Sequence, residues 1–560
     1  MDQAAILSPI LEVLNPVAAN QAPQSFQLSA RPHSLEGKTV GLIWNSSPNG
    51  DIALKRVGEL IQARVKNVTV MFYSGTRPLR QELLLKAQQE CDVFVGLSAD
   101  CGGCASWMAH DMIQLERASK PAIPIVSHGF ETLVDVKAKT LGVPLQYVVV
   151  PNNYKSLAPE HAIAQTEPVV DEIVRLLTTT PTHREAAKGI ATAREIIPFQ
   201  GVDKLDAYDR FNETFLENDW SDGYPLFCPT PERVREVLRG TTLNPQDVVC
   251  IMPPGNGIAT VEKIAINAAM AGCRPEHLPV VIAGLRAILK ITAVYRQSFL
   301  TSTSAHASLF LVTGPIAEEL GVNGARCCLG PGRQNAVNIT IGRALMLALR
   351  NIGHLYPGLW DMDTIGSPRK FNFCMAENSN ESPWDPFHVD QGYPLVTNAI
   401  TVFPTLGERD VSFNGQLSAE HLLRQISLHI DGGHNGDGFL DTRGDFAQPE
   451  KGRLLLLPPI HAQTLADGGF SKKAAKEFLY HTVTRSARQH LEVIRKLKDK
   501  VKPQWQWLAE MPEAEAEKIF LPILESADLY HIVVAGSDRP KDLICPLYAL
   551  PATVEIADRA

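Results

Sequence analysis

Five consecutive residues, Asp100-Cys101-Gly102-Gly103-Cys104, gather the side chains best suited to chemistry in this chain of 560 residues. Two thiols separated by two residues can attack a substrate, hold a mixed intermediate and close on each other as a disulfide. Asp92 to Leu97 reads as a buried strand and Cys104 to Ala118 as a helix. Cys101 would then face the unpaired N–H groups of a helix start, where those donors and the helix dipole favour a thiolate. Cys104, on the first turn, is placed to resolve the intermediate. Gly102 and Gly103 let the backbone turn tightly and approach a substrate closely. Trp107 and His110 follow on the helix; His110 lies two turns from Cys101, so spacing alone gives it no proton role. Two other readings stay open. CxxC is also half of a closed zinc site, which needs two more ligands, and Cys327/Cys328 or distant histidines are the available donors. The pair can also be two inert buried thiols. The strand–loop–helix setting favours thiol chemistry, with Cys101 as nucleophile and Cys104 as resolving thiol.

Three further constellations lie in the second part of the chain. The stretch Val322 to Asn335 contains Arg326, Cys327, Cys328 and Arg333 among glycines and opens a helix. Free N–H groups there, with two arginines, would suit an anion, though the segment matches neither a P-loop nor a dinucleotide fingerprint. A tight turn with solvated arginines fits it equally well. Glu377 to His388 is dense in acid/base and aromatic groups; Glu377 is a candidate base and Trp384 a pocket wall, against a plain surface loop anchored by Trp384. His429, Asp431 and His434 would suit a metal, although spaced Asp and Gly residues also make ordinary turns and the EF-hand spacing is absent. His461 and His481 read as surface or core histidines, and Cys273 sits at a helix end where the dipole would not activate it.

The elements that must position the cysteines alternate regularly. Val40–Trp44, Val68–Phe72, Asp92–Leu97, Ala122–Val126 and Tyr147–Val150 read as strands, with amphipathic helices between them. This predicts right-handed βαβ units and a doubly wound parallel sheet of flavodoxin-like type. Ligands of such sheets bind at strand carboxyl ends beside a switch in strand order, which is where the CxxC loop falls. Residues 1–36 show no period and read as a loosely packed arm, 37–180 as the redox domain, 181–200 as a linker, and 201–560 as a larger α/β or α+β substrate domain of undecided topology. Helices are predicted at Pro231–Arg239, Ile258–Ala271, Gln334–Arg350, Ala419–His429 and Ser471–Lys498. Strands are predicted at Val248–Met252, Leu309–Val312, Ala399–Phe403, Arg453–Leu457 and His531–Ala535.

Composition narrows the function classes. The chain is too long for one core. It is 45% hydrophobic and 20% charged, with a net charge of −8 and no basic run, which argues against a nucleic-acid surface. No apolar stretch reaches membrane length and no signal peptide is visible, which points to the cytosol. Ten cysteines are too few for a disulfide scaffold. Cys91, Cys228, Cys250 and Cys545 read as buried thiols.

The segment Gly96 to Trp107, with His110-Asp111, Leu115-Glu116 and Pro121-Ala122-Ile123-Pro124, resembles the UGSC family over about residues 40–150. In that family selenocysteine or cysteine holds the first motif position. The resemblance places Cys101 there and Cys104 at the motif cysteine, and implies an ionised, redox-active group at Cys101. Gly103 stands where the family has serine. The loop is also similar, more distantly, to the redox loop of glycine reductase selenoprotein B. Gly314 through Trp384 resembles a domain of uncharacterised proteins associated with the UGSC domain. The resulting expectation is an enzyme, a thiol-dependent oxidoreductase acting on a small anionic substrate by reductive cleavage or thiol transfer. It has no identified cofactor, needs an external thiol or thioredoxin-like reductant, and touches neither nucleic acid nor membrane; homo-oligomerisation is left open. The alternatives are a metal-dependent lyase or hydrolase centred on His429, Asp431 and His434, and a thiol-switched binding protein.

Overall fold

Short aliphatic and β-branched runs alternate with amphipathic segments through the first part of the chain, and each run becomes a strand. In the computed structural model, residues 10–21, 26–75, 78–179, 195–295, 299–412, 418–430, 452–497 and 503–560 are described. The elements are β1 (Ile10–Leu14), β2 (Thr39–Trp44), α1 (Gly50–Arg64), β3 (Thr69–Ser74), α2 (Gln81–Glu90), β4 (Val93–Ala99), α3 (Gly102–Arg117), β5 (Ala122–Ser127), α4 (Glu131–Thr140), β6 (Val148–Val150), α5 (Pro159–Thr166), α6 (Val170–Thr178) and β7 (Ile196–Gln200). Five strands pair in parallel in the order β3-β2-β4-β5-β6. Strand order reverses between β2 and β4, the flavodoxin-like arrangement. Every residue of β4 and β5 is buried, as central strands covered on both faces require.

Val40, Val95, Ile123 and Val148 pack with α1, α5 and α6 on one face. On the other face Phe94, Met108, Met112 and Leu133 belong to a core that runs without a break into Ile264, Leu285 and Leu345 of the second part of the chain. The two parts are therefore joined through apolar packing as well as through the chain.

The second part is a sandwich of four layers. One sheet orders Cys374–Ala376, Ala307–Thr313, Ala399–Thr405 and Ala552–Glu555; the other orders Arg409–Ser412, Lys541–Pro546, Arg453–Leu457 and Tyr530–Val534. Leu309, Leu311 and Phe403 face Leu454, Leu456 and Val533 between the sheets. The alternate residues Phe310, Val312 and Ile400 turn outward to the helices Val261–Ala271, Leu278–Tyr295 and Ala336–Asn351. Leu455, Leu457 and Ile532 turn to Ala419–His429 and Lys472–Thr482. The strand period of two thus assigns each residue to a layer. Each sheet repeats one local plan, a strand with a parallel neighbour on one side and an antiparallel neighbour on the other. Among the described residues, no helix is long and apolar enough to cross a membrane.

Four expectations change. Residues 10–21 of the expected arm are not loose: β1 pairs antiparallel with β7, inside the expected linker, and Val13, Asn15, Val17 and Ala18 are buried. Lys263 and Asn267 donate to the Asn15 and Pro16 carbonyls, and His354 Nε2 lies 3.0 Å from the Ala18 carbonyl. The expected helix Ser471–Lys498 is two helices, Lys472–Thr482 and Arg488–Leu497, because Thr484–Ser486 pairs as a strand with Phe520–Pro522. The helix expected from Ile258 starts at Val261, after a strand Gly257–Thr260. Helices Lys204–Glu217 and Leu278–Tyr295 were not anticipated.

Candidate active site

Because β2 and β4 are neighbours, the loops after them meet at the strand carboxyl ends. Asn45 and Ser98 clasp these loops reciprocally: Asn45 Nδ2 donates to the Ser98 carbonyl at 2.7 Å, and the Ser98 N–H donates to Asn45 Oδ1 at 3.3 Å. Asp100, fully buried, accepts on Oδ1 from the Ser98 hydroxyl at 2.5 Å and the Ser47 hydroxyl at 3.2 Å. Ser47 Oγ is also 3.7 Å from Cys104 Sγ, so its one hydrogen serves either the carboxylate or the sulfur. Asn153, beyond β6, donates to the Asp100 carbonyl. Asp100 Oδ2 and Asn153 Oδ1 are buried without a hydrogen-bond partner.

Cys101 caps α3 from an extended backbone, and its sulfur accepts the Cys104 N–H at 3.1 Å. The two sulfurs are joined as a disulfide. Cys101 is half-exposed, whereas Cys104 is 2% exposed, so an incoming group meets Cys101 first. A carboxylate oxygen of Asp100 and both sulfurs lie within 4.8 Å of one another.

The second part of the chain walls this loop. A Cβ on Gly102 would stand 1.8 Å from the Thr301 carbonyl oxygen and 3.0 Å from Met362 Cβ. One turn on, Lys137 Nζ lies 5.6 Å from the Trp107 ring centroid and 5.8 Å from that of Trp360. Burial pushes this amine down to about 8, against the pull of Asp111. Between about 8 and its ordinary 10.5 the unfolded chain binds more protons than the folded one, so stability should rise with pH across that window. Lys137→Met should flatten this rise and increase stability at pH 7. The gain should be about 1–3 kcal/mol once the lost cation–π attraction is subtracted. Urea midpoints measured from about pH 7 to 10 check both statements. His110 packs edge-on against Trp107 at 5.3 Å.

Burial raises the thiols of Cys91 and Cys228, lifts Cys328 to about 11 and carries Cys250, Cys374 and Cys545 to about 12. Cys273 is buried and raised as well. These are packing residues. Cys327 is exposed.

The remaining candidates have other neighbours. Asn335 Nδ2 donates to the Cys327 and Gly330 carbonyls, both at 2.6 Å, and Gly324 lies against Ala376, so 322–335 is a loop tied to its own helix and to the sandwich. Arg326 and Arg333 are exposed on it, and Cys328 Sγ packs on Met375 Sδ at 3.9 Å. Glu377 is buried and raised to about 7 by desolvation; it accepts the Phe387 N–H at 2.6 Å, with Lys472 Nζ at 3.8 Å. Trp384 Nε1 donates to the Phe470 carbonyl. These contacts make Glu377 and Trp384 anchors of their loop, and Thr301 and Met362 lie against Gly102 of the cysteine loop. The His429 carbonyl accepts from Arg409, while Asp431 and His434 lie outside the described residues.

Sequence reading passed over Asn45, Ser47, Ser98, Asp100 and Asn153 as a cradle. The available signal was the run Asn45-Ser46-Ser47 directly after a fully apolar strand. His461, expected as a surface or core histidine, is buried, with Nδ1 2.7 Å from Asp542 Oδ1.

Residues 12–179 match the UGSC family. The UGSC segment thus takes in most of β1, continues through the whole parallel sheet and ends with α6, so the arm lies inside it. No curated protein matches the chain.

Proposed function

We propose that this protein is a thiol–disulfide oxidoreductase whose working pair is Cys101 and Cys104. The observation that carries the reading is the asymmetry of the bridged pair: Cys101, partly exposed at a helix N-terminus, with Cys104 buried behind it. In the reduced protein the Cys101 thiolate, favoured by the Cys104 N–H and the helix dipole, attacks a sulfur of a substrate disulfide and expels one thiolate. Cys104 then attacks Cys101 Sγ, expelling the second substrate thiolate and forming the Cys101–Cys104 bond. The substrate gains two electrons and the protein loses two. An external dithiol of thioredoxin-like class restores the pair by the reverse exchange. Ser47, between Cys104 Sγ and Asp100 Oδ1, offers the path by which the resolving thiol gives up its proton.

The test is a trap. Reduced Cys104→Ser exposed to oxidised glutathione should accumulate a glutathione adduct on Cys101, read by peptide mass spectrometry. The wild type should release it and re-form the internal bond, and Cys101→Ser should carry no adduct in this loop. Equal adduct levels in wild type and Cys104→Ser, or a label confined to Cys327, would remove the proposal.

A further inference from the structure

We propose that the reduced form of the cysteine loop is a binding site for a divalent, thiophilic cation of zinc class, held by Asp100, Cys101 and Cys104. Three observations converge. Among the described residues, one carboxylate oxygen and two sulfurs approach within 4.8 Å of one another. Once the bond between them is opened, two sulfurs bound to a tetrahedral ion at ~2.3 Å would lie ~3.8 Å apart. Asp100 is fully buried, yet its Oδ2 has no hydrogen-bond partner, and a buried carboxylate oxygen ordinarily has one. The rest of Asp100 is fixed: hydroxyls of Ser98 and Ser47 hold Oδ1, and Asn153 holds its carbonyl. Oriented ligands backed by outer hydrogen bonds are the usual setting of a bound metal. Three protein donors leave one position open, the pattern of a reactive rather than a closed zinc site.

The site is gated by the disulfide. With the sulfurs bonded to each other, neither is a thiolate and the carboxylate stands alone. An external thiol reductant supplies two electrons and two protons to open the bond, and is itself oxidised to a disulfide. The ion then displaces two protons from the dithiol. A small-molecule disulfide accepts the two electrons and leaves as two thiolates, the Cys101–Cys104 bond re-forms, and the ion is released. The inference rests on geometry alone and does not need the exchange activity proposed above.

The experiment uses the full chain, reduced with a phosphine and titrated with zinc against a chromophoric chelator. Reduced wild type should bind one ion and release about two protons, the oxidised protein none. Cys101→Ser and Cys104→Ser should each abolish the site, Cys327→Ser should leave it intact, and Asp100→Asn should weaken it by at least about tenfold. Cobalt substituted into the wild type provides a reading independent of any variant's folding: two thiolate ligands should give intense thiolate-to-cobalt bands in the near ultraviolet. Zinc binding that persists in the Cys101→Ser/Cys104→Ser double variant overturns the site. So does unchanged affinity in Asp100→Asn, or cobalt without thiolate bands. The glutathione trap is scored separately, so either proposal can fail while the other stands.

Discussion

Arg31→Met should lower the free energy of unfolding by about 3–5 kcal/mol, the largest stability effect expected for one substitution in the N-terminal domain. Arg31 and Glu116 have side chains with no exposure. Nη1 donates to Oε2 at 2.9 Å, and Nη2 makes a second ion contact with Oε1 at 2.9 Å. Arg31 Nε also donates to the Leu176 carbonyl at 3.2 Å, so one guanidinium joins the arm, α3 and α6. Glu116 further accepts the N–H groups of Ser29 and Ala122. Methionine fills much of the space but leaves a carboxylate in the interior facing only two amides. Most of the loss is the cost of that stranded charge, not the intrinsic worth of the pair. Adding Glu116→Gln to Arg31→Met should therefore restore part of the stability, since the amide strands no charge and its one oxygen still receives one of the two N–H groups, which reach different oxygens of Glu116. Urea unfolding of the four proteins of this cycle measures the coupling. Equal stability of Arg31→Met and wild type would contradict the buried pair.

Gly102→Ala should cost about 1–3 kcal/mol and alter the reactivity of Cys101. The added methyl would lie 1.8 Å from the Thr301 carbonyl oxygen. That oxygen is backbone, so no rotamer change relieves the clash, and the strand–helix junction must move away from the wall formed by the second part of the chain. Met362, 3.0 Å from the same Cβ position, can yield; Thr301 cannot. Met362→Ala should accordingly fail to rescue Gly102→Ala. The readouts are the urea midpoint and the iodoacetamide labelling rate of the reduced protein at Cys101, which should both depart from wild type. Unchanged values in both would mean that the second part of the chain does not abut this loop.

The parallel sheet was legible because its strands are short aliphatic runs separated by polar turns, with partners close by in sequence. The place of the cysteines followed from it, since topology puts the loop after β4 at the switch point. The cradle was not legible: Ser47 and Asn153 each lie 53 residues from Asp100, and nothing local marks either. The sandwich was legible as strands but not as sheets, because its pairs are remote; Thr401 lies beside Thr553. Helix Leu278–Tyr295 hides because Val280 to Ile288 is buried almost throughout, which erases the amphipathic period. The segment Thr484–Ser486 interrupts a helical pattern only because Phe520–Pro522 is there to pair with it. The arm reads as loose because Pro and Gln residues mask Val13, Val17 and Ala18, whose partners come hundreds of residues later.

That last separation sets a schedule for biosynthesis. Ala18 meets His354 across 336 positions of sequence. At ribosomal rates of about 5–20 residues per second, the strip around Ala18 emerges roughly 20 to 70 seconds before the surface that receives it exists. Until then the strip lacks part of the surface it packs against, its earlier partners being Ile258, Lys263 and Asn267. Docking of this strip should be among the late events of folding, after the parallel sheet has formed.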